Sequence, residues 1–301
     1  AIGSLQLMLD RGGEVDWFAS PEIWTYLFLT ISGFWVFTIH IIGADKGFLD
    51  PRMFQDHNFV IGLICIFVIG IILLASLALL PPMLARIFGY PTITTGLIMA
   101  PRGVGTMVSM LVVGRLVRLI DARWLVTAGL LLTAWSLQMM TQFSPLMDSG
   151  PIIWSGVLQG LGLGLVFVPL STIAFATIDS IFRADATSLF SLVRNIGSSI
   201  GISVVSVFLA RNIQVNHAEL SSFISPYNDQ LMRLMPGATA ANPATLSQLN
   251  EMVNIQALMI SYLDDFKLMM IITLCALPLG LILRKPKAQE GPSQQLVIHA
   301  D

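Results

Sequence analysis

Long apolar runs separated by polar segments dominate the chain. Seven of these runs are long enough to cross the roughly 30 Å hydrocarbon core of a bilayer at about 1.5 Å of helix per residue. The predicted spans are 23–42, 59–80, 93–117, 125–142, 152–178, 186–209 and 266–283. The second span is expected to end at Pro81-Pro82, because proline cannot continue the helical hydrogen-bond ladder. The pattern predicts an all-α, polytopic membrane protein.

Composition and charge support this interpretation. Hydrophobic residues make up 55% of the 301 residues and charged residues only 11%, against roughly a quarter charged in a soluble domain. The net charge of −2 argues against a nucleic-acid partner, since no basic surface is available to neutralise phosphates. HExxH, GxxxxGK[ST] and paired cysteine ligands do not occur in the sequence, so we expect neither an enzyme nor a cofactor.

The distribution of basic residues predicts the orientation, because Lys and Arg are retained in the cytoplasm during membrane insertion. One set of loops is richer in them than the other. The richer set contains Lys46, Arg52, Arg115, Arg118, Arg123, Arg183, Arg284, Lys285 and Lys287. Assigning this set to the cytoplasm places 10–22 and 212–265 outside and the C-terminus inside.

Glycines recur at helical spacing in the fifth and sixth predicted spans. Gly156, Gly160 and Gly164 lie at every fourth position of the fifth span, and Gly197 and Gly201 repeat the spacing in the sixth. A helical face without side chains lets a neighbouring helix approach closely. We therefore assign these five glycines to helix packing.

A few polar side chains interrupt the apolar runs and are candidates for a binding site. Arg102 follows Pro101, where the helix is expected to bend; it could line a cavity or bridge helix ends. Arg194 and Asn195 are expected to face the interior, because lipid exposure would be costly. Gln159 and Phe167 could line a site for lipophilic ligands or fill a packed bundle.

Acidic residues are scarce in the predicted spans. No Asp or Glu lies deep in one of them, and Asp264 and Asp265 precede the last. A proton-coupled transporter needs a carboxylate or histidine that can titrate in the membrane, and these spans offer no obvious one. In the preceding polar segment, Asn242-Pro243 predicts a helix start, either of a surface helix lying on the membrane or of a docking site for a periplasmic partner.

Several stretches resemble one transporter family. They are LQLMLDRG and DWF within 5–18, the segment around 48–62, APRGVG at 100–105, GRLVRLIDARWLV at 114–126, LQGLGLGLVFVPLST at 158–172 and SLVRNIGSSIG at 191–201. In order and spacing they resemble the fourteen-span drug/proton antiporters of the major facilitator superfamily, of the EmrB/QacA type.

The resemblance implies a fold and a division of the chain. A linker transmembrane helix would precede the C-terminal six-helix bundle, with the N-terminal half and the usual proton-carrying acid missing from this sequence. The implied segments are 1–22, a truncated helix end and periplasmic loop; 23–57, the linker helix and a cytoplasmic loop; 58–211, five bundle helices; 212–265, a periplasmic segment with a surface helix; and 266–301, the last transmembrane helix and cytoplasmic tail. An opening without Met or a signal-peptide pattern also predicts a C-terminal portion of a longer protein.

The resemblance also implies roles for residues. The second, third, fifth and sixth spans would line the central path, which makes Arg102, Gln159, Phe167, Arg194 and Asn195 candidate substrate-binding residues. The loop at 114–123 resembles the GxxxDRxGRR gating signature. Its residues are Gly114, Arg115, Arg118, Asp121 and Arg123, with Arg118 at the position of the Asp and Asp121 at that of the second Gly.

The implied function is multidrug efflux, and hence antibiotic resistance. The full-length protein would exchange protons for lipophilic or amphipathic compounds across the bacterial inner membrane, with a periplasmic adaptor and an outer-membrane channel as partners. A dedicated exporter of a siderophore, peptide or antibiotic, and a non-transporting membrane scaffold or sensor, are the alternatives.

Overall fold

The protein is helical throughout the part of the chain that the structure describes. The computed structural model describes residues 2–12, 15, 17–43, 51–178, 180–224 and 243–283. Within them lie eight α-helices and no strand, together with short 3₁₀ turns. The helices are α1 (Ile2–Gly12), α2 (Pro21–Gly43), α3 (His57–Ile87), α4 (Thr92–Leu116), α5 (Ala122–Met140), α6 (Ser149–Ala176), α7 (Arg183–Ser222) and α8 (Pro243–Ile282).

Six of these described helices are long and apolar enough to cross a membrane, namely α2, α3, α4, α6, α7 and α8. The predicted fourth span corresponds to α5, which is not among them. Arg123 and Gln138 lower its hydropathy. Its hydroxyl residues face other helices, since Thr127, Thr133 and Ser136 are buried and α5 packs along both α6 and α8. The prediction of an all-α, polytopic membrane protein is confirmed.

Helices α3 to α8 form one bundle. α6 packs along α4 and α5, α3 packs along α7, and α8 packs against α5 and α7. α3 also contacts α6 and α8 and so joins the two sides of the bundle. One apolar cluster includes Phe59, Leu130 and Leu170, and a second, which we call the Tyr262 cluster, includes Tyr262 and Phe266. α1 packs on α2 and α7.

The predicted end of the second span at Pro81-Pro82 was wrong. α3 contains both prolines and continues to Ile87. Proline fixes φ near its helical value, so its cost is the lost hydrogen bond and the clash with the preceding turn. Here the turns around the prolines are held by packing, because Leu80 and Leu84 are almost fully enclosed in the Tyr262 cluster.

The last two helices are longer than expected. α7 extends to Ser222, and α8 runs without interruption from Pro243 to Ile282, so the expected surface helix and last span are one helix. The reason is local, since residues 244–277 contain no Pro or Gly to end it. Several residues used in the sequence argument lie outside the described residues, namely Lys46, Asn242, Arg284, Lys285 and Lys287.

Candidate functional site

A buried polar cluster joins three helices near the middle of the bundle. Arg102 on α4 donates from Nη2 to the hydroxyl of Ser76 on α3 at 3.1 Å and to the Leu73 carbonyl oxygen at 3.5 Å. Gln159 on α6 donates from Nε2 to the same Ser76 hydroxyl at 3.3 Å. Ser76 in turn donates to the Ile72 carbonyl oxygen at 2.7 Å. We call Ser76, Arg102 and Gln159 the polar node.

The polar node has unused hydrogen-bonding capacity. Arg102 is 6% exposed and Gln159 is fully enclosed, yet Arg102 Nη1 and Gln159 Oε1 have no hydrogen-bond partner among the described residues. Nor does any described carboxylate form a salt bridge with Arg102. Buried polar atoms without partners are costly, and a guanidinium matches carboxylate or phosphate oxygens well. The node can therefore form further hydrogen bonds to a polar ligand group.

The glycines of α6 place α4 against the polar node. A Cβ atom on Gly160 would overlap the Arg102 carbonyl oxygen, and one on Gly164 would lie 2.6 Å from the Ser109 Cβ. A Cβ on Gly156, by contrast, would lie 3.6 Å from the Arg102 Cβ, which is an ordinary contact. The backbone approach that seats Arg102 thus depends on Gly160 and Gly164 and not on Gly156.

A second glycine seam joins α3 and α7. A Cβ on Gly197 would overlap the Phe67 carbonyl oxygen, and one on Gly201 would lie 2.7 Å from the Ile71 Cα. From the α3 side, a Cβ on Gly70 would overlap the Arg194 carbonyl oxygen. The Ser198 hydroxyl donates across the seam to the Gly70 carbonyl oxygen at 3.2 Å. The backbones on either side are therefore in close contact over about two turns.

Phe167 and Arg194 form a separate pair. The Arg194 guanidinium lies over the Phe167 ring, 5.6 Å from its centroid. Both side chains are half-buried, whereas the neighbouring Asn195 is exposed. Phe167 lies eight residues beyond Gln159 on α6, about 12 Å along the axis, so the candidate residues divide between two places in the bundle. Their roles in substrate binding stay predictions.

The loop predicted to act in gating lies between α4 and α5. Gly114, Arg115 and Arg118 are exposed, while Asp121 and Arg123 are half-buried and their side chains approach to 3.7 Å. Residues of this loop and the end of α6 line a partly open cavity of about 230 Å³. The structure therefore places the charged loop against the end of the helix that carries Gln159 and Phe167.

An open apolar groove of about 440 Å³ lies between α4 and α6. Its lining includes Leu97, Pro101, Val104, Val108 and Leu161. The groove borders the helix pair that carries Arg102 and Gln159, although neither side chain lines it. Its surface suits an apolar chain or ring system.

Sequence reasoning missed Ser76 and Asp265. Ser76 is one hydroxyl within a long apolar run, and only the packing of α4 and α6 shows that it is shared. Asp265 was expected to precede the last span. In the structure α8 continues through it without a break, and its side chain is fully enclosed among the helices of the bundle.

Comparison with known proteins identifies the family. The model of the Major Facilitator Superfamily matches residues 62–214, about half of the chain. The fatty acid resistance protein FarB of Neisseria gonorrhoeae is 35% identical over 76% of this chain and 45% of its own length. The multidrug export protein EmrB of Escherichia coli K12 is 32% identical over 75% of this chain and 44% of its own length.

A more distant relative matches more of the chain. The colistin resistance protein EmrB of Acinetobacter baumannii is 24% identical over 90% of this chain and 54% of its own length. The chain thus spans about half the length of the curated relatives it matches. The family consists of transporters and not enzymes, as the sequence predicted. With its membrane-crossing helices, the chain is a multi-pass membrane protein that belongs to the EmrB-type branch of the major facilitator superfamily.

Proposed function

We propose that this chain is the C-terminal half of a proton-coupled transporter that exports lipophilic or amphipathic compounds by alternating access. The observation that carries the proposal is the polar node. A buried guanidinium with an unpartnered N–H group and a buried amide with an unpartnered oxygen meet where α3, α4 and α6 converge. Such groups can orient a ligand whose apolar part packs against the surrounding helices.

The packing of the helices supports a moving bundle. Two glycine seams, α4 against α6 and α3 against α7, bring backbones together with few interlocking side chains. Helices packed on small residues associate closely in a bilayer, and their smooth surfaces let them shift without displacing large side chains. The apolar groove between α4 and α6 gives a lipophilic compound a place to contact the bundle. The names of the two EmrB relatives, a multidrug exporter and a colistin resistance protein, agree with this class of substrate.

The proposal includes a cellular setting. The protein would lie in the bacterial inner membrane with its C-terminus in the cytoplasm, and its path would be completed by an N-terminal half. A periplasmic adaptor and an outer-membrane channel would carry the substrate onward. Arg115, Arg118 and Arg123 lie together at the α4–α5 connection, which is the arrangement expected of a cytoplasmic face.

A dedicated exporter of amphipathic acids is the second candidate. The 35% identical relative is a fatty acid resistance protein, and Arg102 carries a buried positive charge without a described carboxylate beside it. An anionic headgroup would satisfy that charge.

Transport by the full-length protein in inverted membrane vesicles tests these proposals. We expect an imposed pH gradient to drive uptake of the fluorescent cation ethidium. We expect Arg102→Ala to weaken uptake at least about tenfold, equivalent to about 1.4 kcal/mol of lost interaction. Arg211→Ala, on an exposed site of α7, is the matched control and should transport normally at equal abundance.

The outcomes separate the candidates. Gradient-driven uptake of radiolabelled palmitate without ethidium uptake would favour the dedicated exporter. Movement of neither compound by the wild-type protein would favour a scaffold or sensor. Normal ethidium uptake by Arg102→Ala would remove the polar node from the mechanism.

A further inference from the structure

Asp265 is a buried acid that no other described group stabilises. Its side chain is fully enclosed, and neither carboxylate oxygen has a hydrogen-bond partner among the described residues. Tyr262, one turn earlier, is also fully enclosed, and its hydroxyl likewise has no described partner. Tyr262 belongs to a cluster with residues of α3, α5 and α7, and α8 packs against all three helices. The adjacent Phe266 belongs to the Tyr262 cluster and packs edge to face on Phe143, with ring centroids 6.1 Å apart.

This setting accommodates the neutral acid and not the carboxylate. An ionised carboxylate removed from water without donors or a counter-ion is strongly disfavoured, and such a group takes up a proton instead. Asp265 can ionise once the helices around it separate enough to admit water or a donor. A carboxyl that holds its proton in one conformation and releases it in another links proton binding to the conformational equilibrium.

The charged groups nearby do not form ion pairs with Asp265. On its own helix, Asp264 is half-buried and Lys267 is exposed. Arg86 at the end of α3 and Arg211 on α7 are exposed, and α5 carries its only Arg, Arg123, at its opposite end. His217 on α7 is half-buried, with Nε2 3.4 Å from Asn250 Oδ1. Asn250 lies about four turns before Asp265 on α8. His217 is therefore included as a control in the transport test.

A line of polar side chains leads from the edge of the bundle towards Asp265. Asn216 on α7 is half-buried and donates from Nδ2 to the Ser261 hydroxyl at 3.0 Å. Ser261 is fully enclosed and lies one turn before Asp265, on the same face of α8. Asn216 and Ser261 thus form a polar seam between α7 and α8, which would offer water and protons a route when the two helices part.

We propose that Asp265 is a proton-carrying carboxyl of the C-terminal half, protonated while enclosed and deprotonated when the seam between α7 and α8 opens. The proposal rests on the proposed proton-coupled export and names a residue for it in this half of the protein. The transferred species is the proton alone, which leaves the Asp265 carboxyl oxygen for water and returns from water. No covalent bond to the substrate is formed.

Infrared difference spectroscopy tests the protonation of Asp265 independently of transport. The purified full-length protein in lipid would be titrated across the physiological pH range as wild type, Asp265→Asn and Asp264→Asn. We expect the carbonyl band of a protonated carboxylic acid to appear in the wild type and in Asp264→Asn and to be lost in Asp265→Asn. A carboxylate band at every pH in the wild type, lost in Asp265→Asn, would overturn the proposal. If Asp265→Asn does not fold, Asp265→Glu keeps the acid and should shift the band.

Transport in the same variants tests coupling. We expect Asp265→Asn to abolish ethidium accumulation driven by a pH gradient and to retain exchange of ethidium without a gradient. A merely structural defect would reduce both activities. Asp264→Asn and His217→Asn should accumulate ethidium as the wild type does. Wild-type accumulation by Asp265→Asn would refute the proposal. If the wild type itself moves neither ethidium nor palmitate, the proposed function fails, and the infrared result alone decides the protonation of Asp265.

Discussion

Arg102 and Arg194 are two arginines within membrane-crossing helices, and the structure holds them in different ways. Arg102 is buried and reaches across to α3, where its Nη2 shares the Ser76 hydroxyl with Gln159. Arg194 is half-buried and rests on the face of Phe167. Hydrogen bonds fix the direction of a side chain, whereas a contact with a ring face leaves it freer to turn. The comparison indicates that Arg102 is a fixed group and Arg194 an adjustable one.

The largest expected effect comes from breaking the seam that places Arg102. Gly160→Ala puts a Cβ atom onto the Arg102 carbonyl oxygen, so α4 and α6 must separate. Overpacking of this kind costs about 3 kcal/mol. We expect a corresponding loss in the free energy of unfolding of the full-length protein, measured by titration with sodium dodecyl sulfate, together with loss of ethidium uptake.

Gly156→Ala is the matched control, because it makes the same change one turn away. Its Cβ would make only an ordinary contact at 3.6 Å, and alanine favours a helix by about 1 kcal/mol over glycine. Its stability should be equal to or above that of the wild type. Equal losses in the two variants would show that Arg102 does not depend on the close approach at Gly160.

A smaller loss of stability is expected from a change at Ser76. It tests whether the hydrogen bonds of the polar node hold Arg102 more firmly than Arg194 is held. Ser76→Ala removes the acceptor shared by Arg102 and Gln159 and leaves Gln159 Nε2 without its observed bond. Burial of unsatisfied donors costs about 1–3 kcal/mol. The same detergent titration measures this loss. Ser171→Ala serves as control, since among the described residues its hydroxyl donates to the Val168 carbonyl oxygen of its own helix.

The double variant Ser76→Ala, Arg102→Ala tests whether the two residues act together. Interacting residues give non-additive changes in stability, so the double variant should lose less than the sum of the single losses. Additive losses would mean that Ser76 and Arg102 act separately and that Arg102 is no better fixed than Arg194.

The sequence predicted the helices better than it predicted the site. Apolar runs located the helices because their length and composition are local properties. Glycine spacing pointed to close packing, but it could not distinguish Gly160 from Gly156, since only the position of the neighbouring backbone decides which one is crowded. Arg102 and Gln159 were chosen as rare polar residues in apolar helices. Their common partner Ser76 depends on how three helices meet, which no local pattern encodes.

Asp265 is a residue whose burial the sequence did not predict. The polar residues before it suggested an exposed segment that ended at the membrane surface. The structure continues the helix through this segment and packs α7 and α5 beside it, so a residue judged to lie at the boundary is fully enclosed. Burial depends on neighbouring helices that are distant in sequence, and for this reason it could not be inferred from the local pattern.

The smallest expected effect concerns the contact of Arg194 with the Phe167 ring. Phe167→Leu keeps an apolar side chain but removes the ring that the guanidinium faces at 5.6 Å, and a contact of this type at a partly exposed site contributes about 0.5–1 kcal/mol. We expect a loss of that size in the detergent titration, and none in Phe167→Tyr, which keeps the ring. A loss as large as that of Ser76→Ala would mean that Arg194 is held as firmly as Arg102. Equal stability of the Leu and Tyr variants would instead show that the ring contributes nothing to holding Arg194, whose position would then be set by the packing of α7 on α3 alone.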